Sequence, residues 1–287
     1  MTYREWMTLG MERLQAAGIE EASLDAWYLL ERASGISRSR YYLVQKDPFP
    51  EEAAEKFQKL LAERARRVPL QQILGDTEFM GLTFLVNEHV LTPRQDTELL
   101  VELALKNLQC RTSPARVLDM CTGSGCIAVS LACLGKPASV TAVDLSEEAL
   151  QVAKQNAEKN QAAVHFIKSD LFQELVGETY DVIISNPPYI PSNVIPGLMP
   201  EVRDHEPHMA LDGGADGLDF YRILAQEGRP YLAEGGSVFY EIGYDQGEAV
   251  SRILEACGYH EIAVHKDLSG LDRVVSAEKS YKDIETA

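Results

Sequence analysis

Four consecutive residues at the end of an apolar run carry the strongest chemical signal in the chain. Residues 182–185 predict a buried strand, and Asn186-Pro187-Pro188-Tyr189 follow it directly. A proline cannot donate a hydrogen bond to a neighbouring strand, so two in succession end the strand and form a rigid turn. In doubly wound α/β folds, ligands bind at this carboxyl edge of the sheet. We therefore expect these four residues to border a binding site.

The groups of this turn suit methyl transfer to a planar, weakly nucleophilic nitrogen. The side-chain oxygen of Asn186 and the carbonyl oxygen of Pro187 can each accept one N–H of the substrate, which orients the nitrogen lone pair. The same two oxygens stabilise the positive charge that develops on the nitrogen as the new bond forms. The ring of Tyr189 can stack on the planar group. Asn186, Pro187 and Tyr189 are therefore the predicted catalytic residues.

A glycine-containing turn between a strand and a helix predicts a cofactor site. Residues 117–120 form an apolar strand pattern, residues 121–125 (Cys-Thr-Gly-Ser-Gly) follow, and a helical pattern begins at Cys126. Glycines at such a turn let a ligand approach the backbone closely, and the helix N-terminus offers free N–H groups. Asp144 ends the next predicted strand, where a carboxylate can accept hydrogen bonds from both ribose hydroxyls of a nucleotide cofactor. Nicotinamide enzymes and methyltransferases that use S-adenosylmethionine share this pattern, so it leaves the choice between them open.

Strand and helix patterns alternate through the rest of the chain after Pro114. Repeated strand–helix units predict a mainly parallel sheet with helices on both faces, and the tight spacing of the last two strands predicts an antiparallel edge. The sequence therefore predicts a doubly wound α/β fold with a seven-stranded sheet. The predicted strands are residues 116–120, 140–144, 164–167, 181–185, 237–242, 262–265 and 273–277. The predicted helices include residues 147–160, 218–233 and 246–257.

Residues 1–70 carry apolar residues at helical spacing, which predicts a small helical domain. Pro50 precedes an acidic first turn, and the helix that starts there is predicted to run to about Arg67. This helix carries the most basic stretch of the chain, formed by Lys59, Arg64, Arg66 and Arg67. Two interpretations are open for the stretch: a solvated helix face, or a face that docks a macromolecular partner.

A β-hairpin is predicted between the helical domain and the α/β domain. Residues 78–86 fit two short strands with a turn near Gly81. Further on, Thr92 fits the N-cap of a helix with Pro93 at its first position. The predicted organisation is a helical domain over residues 1–74, a hairpin linker over residues 75–92 and an α/β domain over residues 93–287.

Composition and charge argue against several classes of protein. The 287 residues include 27 Lys and Arg against 44 Asp and Glu, which gives a formal charge of −17. So acidic a chain is a poor candidate for binding the phosphate backbone of a nucleic acid over a large surface, although a locally basic groove is compatible with the overall charge. The apolar runs are far shorter than the roughly 18 residues that span a bilayer, and the N-terminus lacks the apolar stretch of a secretory signal. We therefore expect a cytoplasmic protein without a membrane segment.

Cysteine and histidine spacing favours neither a disulfide framework nor a metal site. The five cysteines are an odd number without a C-x-x-C pair, which is typical of a reducing compartment. His205-Glu206-Pro207-His208 lacks the H-E-x-x-H spacing of a helical zinc site, and no third ligand is evident. The sequence therefore predicts no metal.

Several further segments accompany the two motifs, and together they resemble one enzyme family. They are residues 69–75, 78–84, 90–98, 121–125, 186–189, 206–207, 213–218 and 241–243. With them the chain resembles the release-factor glutamine methyltransferases, which methylate the side-chain amide nitrogen of the glutamine in the Gly-Gly-Gln loop of bacterial peptide-chain release factors. The Asn-Pro-Pro-Tyr motif is also found in adenine-N6 and other amino methyltransferases, whereas the segments before the sheet narrow the resemblance to this family.

The resemblance implies a Rossmann-like methyltransferase domain, S-adenosylmethionine as cofactor and bacterial class I release factors as protein partners. We predict that the helical domain docks the release factor and not nucleic acid. The residues implied to hold the substrate glutamine are Asn186, Pro187, Pro188 and Tyr189. The residues implied to bind the cofactor are Cys121, Thr122, Gly123, Ser124, Gly125, Asp144, Leu171 and Asn186. The chain departs from the family pattern at Cys121, where the first glycine of the loop is usual, and at Gln95, where a proline is usual.

Other functions are kept as alternatives. An adenine-N6 methyltransferase of DNA or RNA would use the same Asn-Pro-Pro-Tyr chemistry, but the charge of −17 and the lack of an extra recognition domain argue against it. Glutamine methylation of a ribosomal protein is a closer alternative within the same class of enzyme. The presence of Asn186 and Asp144 disfavours a catalytically silent cofactor-binding module. The second half of the chain offers no acid or base for hydride transfer, which disfavours a nicotinamide dehydrogenase.

Overall fold

The computed structural model describes residues 1–280, which form two compact units. The first unit is Met1–Asp76 with Met199–His205, and the second is Thr77–Leu198 with the residues from Glu206 onward. Within residues 1–280, every helix is too short or too polar to cross a membrane. The short segment Met199–His205 belongs to the helical unit although it lies far from it in the sequence.

The first unit is built from helices around an aromatic core. Its helices are α1 (Tyr3–Ala16), α2 (Ala22–Ser34), α3 (Arg38–Val44), α4 (Glu51–Ala65), α5 (Leu70–Leu74) and α9 (Pro200–Arg203). α1 begins at a capping box, in which Thr2 and Glu5 each accept the backbone N–H of the other with a side-chain oxygen. In the core, the rings of Trp6 and Phe49 both pack against Phe57, with centroids 6.2 and 6.3 Å away. The predicted helical region at the N-terminus is confirmed.

A cluster of buried charges lies inside the first unit. Arg64 is only 7% exposed. It donates from Nε to Asp25 Oδ2 over 2.6 Å and from Nη1 to Glu201 Oε1 over 2.9 Å. Arg67 donates to the other oxygen of Glu201 over 2.6 Å. Buried charges are stable when they are paired and hydrogen-bonded, and these pairs attach the segment Met199–His205 to the end of α4.

These ion pairs change the interpretation of the basic stretch. Arg64 is buried and Arg67 is half-buried, whereas Lys59 and Arg66 are exposed. Arg64 therefore belongs neither to a solvated face nor to a docking face, because its guanidinium is buried and paired with Asp25 and Glu201. The docking interpretation retains only Lys59 and Arg66.

The second unit contains a β-hairpin and a seven-stranded sheet. The hairpin strands are β1 (Asp76–Phe79) and β2 (Leu82–Leu85). The sheet strands are β3 (Arg116–Met120), β4 (Ser139–Asp144), β5 (His165–Lys168), β6 (Tyr180–Ser185), β7 (Leu232–Glu241), β8 (Tyr259–Lys266) and β9 (Asp272–Lys279). The helices are α6 (Thr97–Cys110), α7 (Cys126–Leu134), α8 (Glu147–Lys159), α10 (Asp219–Gly228) and α11 (Gly247–Ala256).

The strand order β5-β4-β3-β6-β7-β9-β8 places a crevice between β3 and β6. β9 is antiparallel to both neighbours, and the other pairs are parallel. The chain moves outward from β3 to β5 and then returns to form β6 beside β3, so the direction of winding reverses there. In this pair Met120 lies opposite Ser185. The next residues, Cys121 and Asn186, therefore leave adjacent strands at the point where doubly wound folds bind ligands.

Both faces of the central strands are buried, which accounts for their nearly continuous apolar sequence. Successive residues of β3 join different core clusters. Leu118 packs in a cluster with Leu224 of α10 and Leu254 of α11, whereas Val117 packs in a cluster with Leu100 of α6. Helices thus cover both faces, and the predicted doubly wound seven-stranded fold is confirmed.

The seven predicted strands are all present, and the hairpin has the predicted turn. Met80-Gly81 form that turn with φ of 52° and 73°, the positive values that a type I′ turn requires. The predicted helix over residues 218–233 is too long. α10 ends at Gly228 and β7 begins at Leu232, because Pro230 cannot supply the N–H that would continue the helix.

The predicted helix start at Thr92 is wrong. α6 begins at Thr97, residues 91–94 have no regular secondary structure, and Gln95-Asp96 form a turn. The carboxylate of Glu206 accepts the backbone N–H of Thr92 over 3.4 Å, and both of its oxygens accept from Arg94 Nη2 over 2.7 Å. These bonds to a residue distant in the sequence replace the local capping box that the Thr-Pro pattern predicts.

Candidate active site

A cleft of about 490 Å³ lies at the carboxyl ends of the central strands. This volume is within the range of small-molecule sites, roughly 300–1,000 Å³. The predicted site residues that line it are Cys121, Thr122, Gly123, Ser124, Asp144, Leu171, Asn186 and Pro188. Gly125, Pro187 and Tyr189 are next to this lining but not part of it. The cleft therefore brings together the glycine loop, the end of β4 and the turn after β6.

The glycine loop is anchored to β3 through Asp119. The Oδ2 atom of this residue accepts the hydroxyl of Thr122 over 2.6 Å and the backbone N–H of Ala128 over 3.1 Å. Gly123 has a φ of 53°, and no atom lies within 4 Å of the position that a Cβ would take. The backbone at Gly123 is thus open to the cleft, as the close approach of a ligand requires.

Cys121 occupies the position where the family pattern has glycine. Its φ of 62° is in the left-handed region, which glycine adopts without strain and other residues do not. Burial raises the pKa of its thiol, and the nearby carboxyl groups of Asp144 and Asp119 raise it further. The thiol therefore stays protonated near neutral pH and packs as a small apolar group, without the thiolate that a nucleophile needs.

Asp144 has both carboxylate oxygens oriented by backbone amides. Oδ2 accepts the N–H of Gly123 over 2.8 Å, and Oδ1 accepts the N–H of Ser146 over 2.9 Å. Burial raises the pKa of Asp144, and these two hydrogen bonds oppose the shift. Each oxygen can accept one more hydrogen bond, since a carboxylate oxygen has two lone pairs. Asp144 can therefore accept a pair of hydroxyls beside the open backbone of Gly123.

Asn186 lies where β6 ends, beside the glycine loop. The hydroxyl of Ser185 donates to the backbone oxygen of Met120 over 2.6 Å and ties together the ends of β6 and β3. Asn186 Nδ2 donates to Thr97 Oγ1 over 3.3 Å. With its nitrogen engaged in this way, the side chain presents Oδ1 as a hydrogen-bond acceptor next to the cleft.

Tyr189 is held by groups on three sides. Its hydroxyl donates to Glu241 Oε1 over 3.5 Å, and its backbone oxygen accepts from Gln246 Nε2 over 2.9 Å. A Cβ on Gly213 would lie 2.7 Å from the Cα of Tyr189, so the loop before α10 packs directly on the turn. These contacts keep the turn after β6 rigid. Stacking of the Tyr189 ring on a substrate stays a prediction.

Sequence reasoning missed three residues that support the turn, namely Thr97, Glu241 and Gln246. Glu241 ends β7, which is the neighbour of β6 in the sheet. The rule that carboxyl ends of adjacent parallel strands meet at one edge could have identified it. Thr97 lies in the family-like segment 90–98, but a threonine in the first turn of a helix is ordinary and indicated no role in supporting the turn.

Comparisons with known proteins match most of the chain. A family profile described as the PrmC N-terminal domain matches residues 5–75, and one described as the methyltransferase small domain matches residues 95–195. Proteins named release factor glutamine methyltransferase from Geobacter sulfurreducens and Cereibacter sphaeroides are 43% and 46% identical to this chain over 262 and 268 residues. The alignments cover 91% and 92% of this chain, and 91% and 94% of the relatives.

A solved structure supports the fold. The crystal structure of a methyltransferase from Pyrococcus furiosus aligns with 70% of this chain and 91% of its own, with a TM-score of 0.52 and 19% sequence identity. At this identity the likeness concerns the fold alone, and it agrees with the seven-stranded sheet described above.

The fold and the site together define a methyltransferase that uses S-adenosylmethionine. The glycine loop alone left a nicotinamide cofactor open, and the methyltransferase profile decides between the two. More particularly, the chain belongs to the release factor glutamine methyltransferase family. The resemblance inferred from the sequence motifs is confirmed.

Proposed function

We propose that the chain transfers the methyl group of S-adenosylmethionine to the side-chain amide nitrogen (N5) of the glutamine in the Gly-Gly-Gln motif of bacterial class I release factors, in support of translation termination. The observation that carries this proposal is the position of Asn186. It leaves the strand next to the glycine loop, lines the same cleft and presents its side-chain oxygen as an acceptor. The names of the relatives support a release factor as the protein substrate.

The glycine loop and Asp144 are the groups that would hold the cofactor. S-adenosylmethionine, when bound, supplies a methyl group on a positively charged sulfur, from which the methyl can be transferred. The open backbone at Gly123 allows close contact, and the paired oxygens of Asp144 suit the two ribose hydroxyls. The proposed cofactor-binding residues are Cys121, Thr122, Gly123, Ser124, Gly125, Asp144, Leu171 and Asn186.

The turn after β6 would orient the substrate amide. An amide nitrogen is a poor nucleophile because its lone pair is delocalised into the carbonyl. Asn186 Oδ1 and the carbonyl oxygen of Pro187 each accept one N–H, which aims the nitrogen at the methyl group and stabilises the positive charge that develops. The bond between the methyl group and the sulfur would break as the new bond to nitrogen forms, and the nitrogen would then release one of its two protons to water. Pro188 and Tyr189 complete the substrate-binding turn.

The organisation of the chain fits a protein substrate. We assign residues 1–74 to a helical substrate-docking domain, residues 75–92 to a hairpin linker and residues 93–287 to the methyltransferase domain, except that Met199–His205 belong to the helical unit. The match of residues 5–75 to the PrmC N-terminal domain supports a separate N-terminal module. A substrate that acts in translation would place the enzyme in the cytoplasm.

Labelling of purified substrates tests this proposal. The protein is incubated with methyl-labelled S-adenosylmethionine and each class I release factor, and the label is located by peptide mapping. We expect label on the glutamine of Gly-Gly-Gln and almost none with Asn186→Ala. Parallel incubations contain ribosomal proteins, DNA or RNA. Label on an adenine or a ribosomal protein, with unlabelled release factors, would replace the proposal by the corresponding alternative.

A further inference from the structure

A single asparagine on α8 joins the glycine loop to the β-hairpin. Asn156 is fully buried, and its Nδ2 atom donates to the backbone oxygen of Ser124 over 2.9 Å. The same atom donates to the backbone oxygen of Leu85 over 3.0 Å, and Oδ1 accepts the backbone N–H of Leu85 over 2.6 Å. Ser124 belongs to the glycine loop, and Leu85 is the last residue of β2. One side chain therefore holds together two segments that are distant along the chain.

These three hydrogen bonds fix the orientation of the Asn156 amide. Its two hydrogens go to two carbonyl oxygens and its oxygen accepts an N–H, so both polar atoms of the side chain are used. A half-turn of the amide would place Oδ1 against a carbonyl oxygen and Nδ2 against the N–H of Leu85. Burial of a polar group is tolerated where its hydrogen bonds are complete, as they are here.

The bond to Ser124 fixes one peptide plane of the glycine loop. Because a trans peptide is planar, the carbonyl of Ser124 and the N–H of Gly125 point in opposite directions. Asn156 holds the carbonyl, and the N–H donates to the backbone oxygen of Thr122 over 2.9 Å. Gly125 has a φ of 78°, and since glycine also adopts negative φ without strain, its backbone permits this plane to rotate. Asn156 opposes that rotation.

Helix α8 also packs against the segment that follows the hairpin. Val152 is buried in a small apolar cluster with Val86 and Val90, which come directly after β2. Residues 89–94 line the cleft, and so does Ser124 in the glycine loop. α8 therefore contacts two segments of the cleft wall, and the hydrogen bonds of Asn156 connect the loop to the strand from which the other segment continues.

We propose that Asn156 is a positioning residue for the cofactor: it holds the peptide plane after Ser124 and the end of β2 in the arrangement that binds S-adenosylmethionine. This inference rests on the cofactor site proposed above, because Asn156 acts through the glycine loop. Without the amide, the loop exchanges between this arrangement and others, and only the molecules in this arrangement bind. The measured Kd then rises in inverse proportion to their fraction.

Asn156→Ala tests the inference, and Asn160→Ala is the matched control. Asn160 lies one turn further along α8, and its Nδ2 atom donates to the backbone oxygens of Thr83 and Asn156 over 2.9 and 3.0 Å. Within residues 1–280 these are its side-chain hydrogen bonds, so it contacts the hairpin and not the glycine loop. We expect Asn156→Ala to raise the Kd of S-adenosylmethionine about 10-fold and Asn160→Ala to stay within about twofold of the wild type, as measured by calorimetry.

Steady-state kinetics distinguishes positioning of the loop from a general loss of structure. In Asn156→Ala the KM for S-adenosylmethionine should rise with the Kd, whereas kcat at saturating cofactor should change by less than about threefold, because bound cofactor selects the competent loop. A partly unfolded variant would lose kcat and keep the KM of its folded fraction. Thermal unfolding verifies that each variant is folded at the assay temperature. A wild-type Kd in Asn156→Ala, an equal rise in Asn160→Ala, or a loss of kcat with unchanged KM would overturn the inference.

The wild type provides a readout that is independent of the stability of any variant. When S-adenosylmethionine is added, the NMR signals of the Asn156 side-chain NH₂ group should shift, and those of Asn160 should shift much less, because the former group is bonded to the glycine loop. Unshifted Asn156 signals in protein saturated with the cofactor would overturn the inference. Absence of label on any release factor would instead overturn the proposed substrate, while the Kd and NMR results would still decide the role of Asn156.

Discussion

Gly125 lies so close to α8 that a Cβ on it would be 2.9 Å from the Cβ of Ala153 and 3.2 Å from its Cα. Gly123, in the same loop, would meet no atom within 4 Å. Both residues have positive φ, 78° and 53°. One glycine of the loop therefore allows two helices to pack closely, and the other leaves room for a ligand.

Because Gly125 is closely packed and Gly123 is not, we expect Gly125→Ala to affect mainly stability and Gly123→Ala to affect cofactor binding as well. Gly125→Ala combines left-handed strain with a clash, and we expect it to lower the free energy of unfolding by about 3 kcal/mol. Gly123→Ala carries only the strain, about 1–2 kcal/mol, but its methyl group points into the cleft and should weaken S-adenosylmethionine binding. Urea unfolding and calorimetry measure the two effects. A larger loss of stability in Gly123→Ala than in Gly125→Ala would contradict these roles.

The left-handed conformation of Cys121 predicts that glycine at this position stabilises the fold more than alanine does, the reverse of their usual order. Glycine adopts a φ of 62° freely, so Cys121→Gly should be more stable than Cys121→Ala by about 1 kcal/mol. Cys126 is the matched control, because it begins α7, where alanine is preferred over glycine. Chemical denaturation of the four variants checks the prediction. If the alanine variant were the more stable one at both positions, the backbone at Cys121 would not be strained.

The sequence predicts those site residues whose positions follow from the residues next to them in the chain. Asn186 was found because it directly follows an apolar strand, which the prolines after it end by their own backbone geometry. Asp144 was found because it is the polar last residue of an apolar strand. Since the carboxyl ends of parallel strands lie at the same edge of a sheet, the parallel arrangement alone places Asn186 and Asp144 near each other.

The contacts that the sequence did not predict join residues distant along the chain. Arg64 pairs with Glu201 across 137 positions, and Asn186 contacts Thr97 across 89. No local pattern distinguishes Arg64 from its exposed neighbour Arg66. The helix predicted to start at Thr92 is absent for a similar reason, because the distant Glu206 accepts the backbone N–H of Thr92.

The two arginines at the end of α4 should respond differently to charge reversal. Arg64→Glu places a third carboxylate against Asp25 and Glu201, and we expect a loss of about 3–5 kcal/mol of stability. Arg66→Glu is exposed and should fold as the wild type does. If α4 docks the release factor, Arg66→Glu should raise KM for the whole factor and weaken its salt dependence, with little effect on a Gly-Gly-Gln peptide. Equal effects on both substrates would mean that α4 is only a solvated face.

Removal of the Asn186 side chain tests the proposed catalytic turn. Asn186→Ala deletes one of two acceptors for the substrate amide, and loss of one such preorganised partner typically lowers kcat about 10²–10³-fold. The Kd of S-adenosylmethionine should change less, since the interaction develops mainly in the transition state. Asn186→Asp keeps an acceptor and should retain more activity than Asn186→Ala. Single-turnover methylation of a release factor measures the effect, and near-normal turnover in Asn186→Ala would contradict the mechanism.

Asp119 predicts a dependence of stability on pH. Burial raises the pKa of this carboxyl group to about 7, although Thr122 and Ala128 donate to it. In the unfolded chain its pKa is about 3.9. As the pH rises from about 4 to about 7, the unfolded chain therefore ionises first, and the contribution of Asp119 to stability decreases. Above about pH 7 both states are ionised, and the folded state retains the whole penalty of a buried charge.

Asp119→Asn removes that penalty while its side-chain oxygen can still accept from Thr122 and Ala128. The gain in unfolding free energy over the wild type should therefore be larger at pH 8 than at pH 5, by about 2 kcal/mol. Urea unfolding of the cofactor-free protein at the two pH values measures it. Asp47→Asn, the same substitution at an exposed site, is the matched control. An equal effect of Asp119→Asn at both pH values would show that the buried carboxyl group titrates at its ordinary pKa, and that its two hydrogen bonds fully offset the loss of hydration.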